Sequence, residues 1–439
     1  MLSAFVSAFR VPDLRRKILF TLGLLGLYRL GAALPSPGVD YPAVRRCVDL
    51  VSGGESAGIY QLIDLFSGGA MLQLSVFAIG VVPFITASII TQLLTVVIPR
   101  FEELRKQGHS GQATIAQYTR YLAMALAVLQ ASALVALAAR GQLLRGCPED
   151  ILADTSLVGM AVAVLVMVAG AALVMWIGEL ITDRGIGNGM SLLIFTGIAA
   201  RIPSQGKAIL DSQGGLVCTA VCVALVLLLV AMIFVELGQR RIPVQYAKRV
   251  VGRKLYGGSS TYLPLKVNQA GVIPVIFASS LLYLPNLLAQ FTRNGDGATA
   301  RWQDFIQKYL VSPTNPVYVV TYCTLIVFFT YFYVAITFDP RERADEMKKF
   351  GGFIPGYRPG KPTADYLNHV LVRVTLPGCL YLGAVAVLPG LIPQFGSAGS
   401  AQSLIFGGTS VLIVVSVGLD TLKQVEGQLM NRNYTGFLR

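Results

Sequence analysis

The chain has 439 residues, 54% hydrophobic and only 13% charged, with a mean hydropathy of +0.63. Soluble domains carry about 25% charged residues, so an ordinary water-soluble enzyme is excluded. The net charge of +13 must then sit on the segments that join apolar runs, as in a polytopic membrane protein.

A crossing helix needs about 20 mainly apolar residues to traverse about 30 Å of hydrocarbon. Ten stretches are candidates: Ile18 to Leu34, Val76 to Ile98, Tyr121 to Ala139, Leu157 to Ile181, Ile186 to Ile202, Leu216 to Leu237, Ala270 to Leu288, Val317 to Phe338, Val370 to Leu391 and Leu404 to Leu422. The fifth is short, since its strongly apolar part, Met190 to Ile202, is entered through Gly185, Gly187, Asn188 and Gly189. It is retained on charge. Without it, the segments Arg240 to Lys266 and Arg341 to Arg373, with seven Lys and Arg each, would face outward. With ten spans, 25 of the 36 basic residues fall in alternate connections and Arg373 stands just inside the ninth span beside them, which puts both termini in the cytoplasm. Arg29 lies inside the first span.

Arg15-Arg16-Lys17 and the run ending in Gly31-Ala32-Ala33 imitate a secretory signal, but the nine later spans and the Pro35-Ser36-Pro37-Gly38 exit favour an uncleaved first helix. Between the first two spans, Gly58 to Leu74 is apolar enough to want burial, too short to cross, holds Asp64 and breaks at Gly68-Gly69. It reads as a half-helix folding back from the outer surface, since irregular backbone survives at membrane depth only inside protein or along a wet cavity. An amphipathic helix lying on the outer leaflet is the alternative.

The second span carries Pro83, Thr86, Ser88, Thr91 and Gln92. With Gln130 in the third span and Asn268 at the mouth of the seventh, these amides mark a seam between helices or a polar path, because burying an amide unpaired is costly. Gly185-Ile186-Gly187-Asn188-Gly189 resembles a phosphate cradle, but it follows an apolar span rather than a strand and lacks a following Gly-Lys-Ser/Thr, so it reads as a tight turn. The six Cys and two His have no metal-ligand spacing; only Cys47 and Cys147 fall in outward segments. No catalytic set is visible, and no metal or cofactor is expected. An ion-coupled secondary transporter is the competing reading, yet such carriers keep ionisable groups near the midplane, whereas Glu179, Glu236 and Asp420 sit at inner boundaries.

Two inner loops are polar and basic. The first holds Arg240, Arg241, Lys248, Arg249, Arg253 and Lys254; the second holds Arg341, Arg343, Lys348, Lys349, Arg358 and Lys361 among Gly-Gly and Pro-Gly pairs. They suit a polyanionic partner such as ribosomal RNA, an acidic protein surface or lipid headgroups; orientation alone would also need positive loops.

Several stretches resemble the SecY/Sec61α family in its bacterial form. They are Phe66-Ser67-Gly68-Gly69-Ala70, Thr86 to Leu94, Gln117-Tyr118-Thr119-Arg120-Tyr121, Arg184 to Gly189, Leu263 to Asn268 with Gly271-Val272-Ile273-Pro274, Pro355 to Gly360, and Phe406 to Ser410. The resemblance implies an all-α protein of ten transmembrane helices, in two inverted five-helix halves around an hourglass pore. The halves would be 18–202 and 203–424, flanked by cytoplasmic segments 1–17 and 425–439, with inner loops 238–268 and 339–369. It implies a non-enzymatic channel for unfolded secretory chains, with a sideways exit for membrane helices, in the bacterial inner membrane.

By the same resemblance, residues 58–75 form a plug that includes Tyr60, Ile63, Asp64, Phe66, Ser67, Gly68 and Gly69. Val81, Ile85, Met190, Ile194, Ile276 and Ile413 form the pore ring, where Met190 departs from the Ile/Val pattern. Thr86, Gln92, Gln130 and Asn268 form a lateral gate between spans two and three and spans seven and eight. The basic loop residues named above, from Arg240 to Lys254 and from Arg341 to Arg358, dock the motor or the ribosome. The implied partners are the small subunits SecE and SecG, the SecA ATPase, the ribosome, signal peptides, nascent chains and lipid.

Overall fold

A computed structural model describes residues 9, 11–51, 68–71, 73–139, 141, 151–154, 156–246, 249–251, 254–256, 260–291, 315–391 and 408–436. A helix stands over each of the ten apolar stretches. In chain order the helices are α1 (Pro12–Ala33), α2 (Tyr41–Val51), α3 (Val82–Val97), α4 (Pro99–Lys106), α5 (His109–Ala139), α6 (Leu157–Arg184), α7 (Gly189–Ala199), α8 (Ile202–Leu237), α9 (Ile273–Phe291), α10 (Pro316–Thr337), α11 (Pro340–Lys349), α12 (Lys361–Leu391) and α13 (Gly408–Gly436). Among the described residues, α5, α6, α10, α12 and α13 contain stretches long and apolar enough to cross a membrane, and the bent pair α3–α4 passes if taken as one span. The chain is a multi-pass membrane protein. Large apolar side chains such as Leu165, Trp176, Phe234, Phe328 and Leu380 point outward, which a lipid solvent permits and water would not.

Local chemistry sets the helix starts. Pro occupies the first turn of α1, α3, α4, α8, α10 and α11, where its missing N–H costs nothing. Ser156 Oγ accepts from the Gly159 N–H, Asn315 Oδ1 from Val317 and Asp339 Oδ1 from Arg341, at 3.1, 3.0 and 2.9 Å. At Ile98 the backbone is extended, as the residue before a proline must be, and α3 and α4 diverge by 97°. The 31 residues of α5 measure about 46 Å, so its polar first turns project beyond a hydrocarbon core of about 30 Å.

Three boundaries differ from expectation. Residues 76–81 are turns, not the start of the second helix: Leu74 and Gly80 have φ of +46° and +61°, and the segment is tied to the end of α1. Ser36 N–H donates to Leu74 O and Val76 N–H to Leu34 O, at 3.1 and 2.9 Å. α8 begins at Ile202 and runs 36 residues, through glycines that read as loop. The helix α2 was not foreseen; it starts at Tyr41 with Asp40 Oδ1 accepting from Ala43 N–H, and buries Ala43, Val44 and Cys47. Cys47 is disulfide-bonded, while Cys218, Cys222, Cys323 and Cys379 are free; Cys147 lies outside the described residues.

Strands occur only between α8 and α9 and after α11 among the described residues. β1 (Gln239–Tyr246) lies between β4 (Ser260–Lys266) and β5 (Gly352–Phe353), antiparallel to both, with Ile242 opposite Leu263; β2 (Arg249–Val251) pairs with β3 (Lys254–Tyr256). Ile242 and Leu265 bury one face of the sheet against Phe338, Leu367 and Leu371. The principal core gathers α1, α3, α6, α7, α8, α9, α10, α12 and α13.

Candidate functional site

The six ring residues fall in one apolar cluster. Val81, Ile194, Ile276 and Ile413 are buried, at 2, 4, 8 and 1% exposure, and Ile85 and Met190 pack half-buried against them. They come from four separate segments: the turn before α3 with its first turn, α7, α9 and α13. No hydrogen-bonding side chain is among them. Any opening through this waist would be lined by hydrocarbon, which repels ions by dewetting.

The Gly185–Gly189 turn sets the position of α7 by satisfying three of its amides with side chains from other helices. Ile186 N–H donates to Thr21 Oγ1 of α1 (3.2 Å), Gly187 N–H to Gln424 Oε1 of α13 (2.9 Å), and Gly189 N–H to Thr182 Oγ1 of α6 (2.9 Å). Asn188 Oδ1 accepts from both Met190 and Ser191 as the cap of α7. Gly187, at φ +88°, makes the turn possible. A Cβ on Gly178 would lie 2.6 Å from Met190 Sδ, so the unbranched thioether occupies a notch that this glycine leaves open.

Of the plug residues, Gly68 and Gly69 are described; Tyr60, Ile63, Asp64, Phe66 and Ser67 lie outside the described residues. The Gly68-Gly69 pair has φ of +64° and +99° and packs against Gly197 of α7. The gate residues lie on α3, on α5 and just before α9, but their hydrogen bonds run elsewhere than across a seam. Thr86 Oγ1 donates to Val82 O (2.9 Å), and Gln92 Nε2 to Ser88 Oγ (3.5 Å), both within α3; Gln130 is half-buried. Asn268, 3% exposed, donates from Nδ2 to Glu236 Oε2 of α8 at 2.9 Å, and Ser416 of α13 donates to Glu236 Oε1 at 3.3 Å. Asn268 Oδ1 is buried without a partner.

Two residues escaped the sequence. Glu236 is the hub joining α8, the base of α9 and α13, and its position at a span boundary gave no hint of its partners. Arg105 of α4 donates from Nη2 to Ile336 O of α10 at 2.8 Å, closing 231 residues of chain, a pairing no local pattern could reveal. On the same short helix Lys106 pairs with Glu102 at 2.7 Å, which holds the Glu102 carboxyl below and the Lys106 ammonium above their ordinary values.

Among the docking residues, Arg240 and Arg241 are exposed on β1, and Arg341, Arg343, Lys348 and Lys349 are exposed on α11. Arg358 is exposed in a turn between Gly356 and Gly360, at φ +89° and +106°, and Thr363 Oγ1 holds its carbonyl at 2.8 Å. Arg249 and Lys254 stand in strands; Lys248 and Arg253 lie outside the described residues.

The fold and site define a multi-pass helical membrane protein with an aliphatic centre. Its solved structural neighbours are channels. "The structure of a protein conducting channel" aligns over 93% of this chain and 91% of that one, with a TM-score of 0.63 at 18% identity. The channel of the canine ribosome–channel complex from the endoplasmic reticulum covers 93% and 91%, at 0.58 and 17%. The SecY family model matches residues 75–422. The chain is 67% identical to the protein translocase subunit SecY of Mycobacterium tuberculosis over 441 residues, and 56% identical to that of Corynebacterium glutamicum over 442, covering 100% of both chains in each case. The chain belongs to the SecY family.

Proposed function

We propose that the chain is the channel subunit of a protein translocase, passing unfolded polypeptides along the axis where Val81, Ile85, Met190, Ile194, Ile276 and Ile413 meet, and releasing apolar helices sideways into lipid. The observation that carries this reading is the single aliphatic cluster built from four separate segments, with no polar side chain of its own among the six. Flexible aliphatic groups seal against ions yet deform around a passing chain. Met190, seated in the Gly178 notch, is the most compliant of the six. Family membership favours this over an ion-coupled transporter.

In this reading the ten helices form two five-helix groups, 18–202 and 203–424, residues 58–75 stopper the waist from outside, and the sheet end with α11 faces the cytoplasm of a bacterium. The lateral exit lies between α3–α5 and α9–α10. Its closed state is held less by amides meeting across the seam than by the Glu236 hub at the base of α9 and by Arg105 on Ile336. The exposed basic set on β1, α11 and the Arg358 turn binds a motor of the SecA type or the ribosome, with SecE and SecG as small companions. Ile276→Asn tests the ring: resting ion conductance of the reconstituted channel should rise severalfold, and unchanged conductance with normal folding would refute the assignment.

A further inference from the structure

An arginine inside a membrane span is expensive and calls for a partner. Arg29 sits in the outer half of α1, half-buried, and its Nη1 donates to Gly68 O at 3.0 Å. Everything around that bond is built for close approach. Gly68 and Gly69 adopt φ of +64° and +99°, conformations that side chains oppose. A Cβ on Gly68 would lie 2.8 Å from Gly197 Cα, and one on Gly197 would lie 3.2 Å from Gly68 Cα, so the turn rests backbone to backbone on α7. A Cβ on Gly69 would stand 3.1 Å from Arg201 Nη2. Downstream, the chain is fixed to α1 without charge: Tyr28 stacks on Phe77 with ring centres 6.0 Å apart, and two backbone bonds join residues 34 and 36 to 74 and 76. The Arg29 bond is thus a side-chain tether at the turn where residues 58–67 join the anchored part of the chain.

We propose that Arg29 is a positioning residue for the closed channel: its guanidinium holds the Gly68 carbonyl and so keeps the plug's root seated on Gly197. This rests on the plug reading above. A hydrogen bond from a charged donor inside protein is strong because water does not compete, and moving the turn away leaves the guanidinium without it. Arg29 therefore weights the equilibrium toward the stoppered state, while α7, which carries Ile194 of the ring three residues before Gly197, supplies the seat.

The test is resting ion conductance of the full chain, purified with its companion subunits and reconstituted in planar bilayers without substrate. Arg29→Gln, which drops the charge and the forked donors, should raise it about tenfold, the factor for one charge-assisted bond. Arg29→Lys, keeping a charged donor, should fall between. Gly197→Ala, which crowds Gly68 without touching a charge, should leak as Arg29→Gln does. Ile85→Asn is measured beside them as the reference for the ring. Wild-type conductance in Arg29→Gln and Gly197→Ala, with Ile85→Asn leaking, overturns the role of Arg29 and spares the channel reading; silence in all three refutes both. Folded yield and melting temperature are read on the same preparations, and a leak that merely tracks loss of folded protein across the variants also overturns the proposal. Should Arg29→Gln fail to accumulate, Arg29→Lys and Gly197→Ala decide the matter alone.

Discussion

Replacing Glu236 by Ala should loosen the base of α9 more than any other single change at the inner end of the bundle. Glu236 is 5% exposed and accepts two hydrogen bonds, from Asn268 at 2.9 Å and Ser416 at 3.3 Å. Its removal strands the Asn268 amide, whose Oδ1 already lacks a partner, so a buried side chain would be left with neither end satisfied. The Ser416 hydroxyl can turn elsewhere; the amide cannot. One unsatisfied buried donor costs about 1–3 kcal/mol, and the lost packing of the side chain adds about 1 kcal/mol, giving a loss of about 2–4 kcal/mol. Glu236→Gln keeps the shape and one acceptor, so its cost should be about 1 kcal/mol. Cys379, 2% exposed and free, supplies the assay once Cys218, Cys222 and Cys323 are replaced by Ser in every chain compared: a thiol-reactive dye added during heating then reports when the core opens. Melting should fall in the order wild type, Gln, Ala, and the Ala variant should also open its lateral exit more readily to a signal peptide. Coincident melting curves for wild type and Glu236→Ala would refute the reasoning.

Reversing Arg358 to Glu should cut motor-driven export by at least about tenfold while folding is unaffected, because the residue is exposed and the change sets a negative charge within the basic docking set; normal motor stimulation would contradict this. Gly178→Val fills the notch beneath Met190 Sδ and should cost about 1–3 kcal/mol by overpacking, read as a lower melting temperature, with partial recovery when Met190 is shortened to Ala in the same chain.

Helices were legible wherever an apolar run was long, because lipid enforces that pattern directly. α8 was not read to its full length since Gly206, Gly214 and Gly215 look like loop in isolation, yet Pro203 starts a helix at Ile202 that runs through them. Val76–Val81 failed in the opposite direction. Its hydropathy continues that of α3, but Gly80 at φ +61° and the backbone bonds from Leu34 and Ser36 hold it as turns. The sheet was hidden for a physical reason as well. Ile242 and Val244 alternate inward as a strand requires, but Pro243 between them argues against one; it is tolerated because β5 pairs only with Gln245 and Tyr246, leaving that part of β1 an edge. At the site, the residue types were readable and the partners were not. Asn268 announced a buried amide, whereas its bond to Glu236 depends on β1 and β4 folding back to bring residues 32 apart together.

Site-specific photocrosslinking during arrested transport tests the central claim most directly. A photoreactive residue at Ile276 or Ile413 should form adducts with a polypeptide stalled in transit, while the same probe at Phe234 or Leu380, which face outward, should react with lipid alone. Adducts of equal yield at all four positions, or none at Ile276 and Ile413, would mean that the translocating chain does not pass through the aliphatic waist.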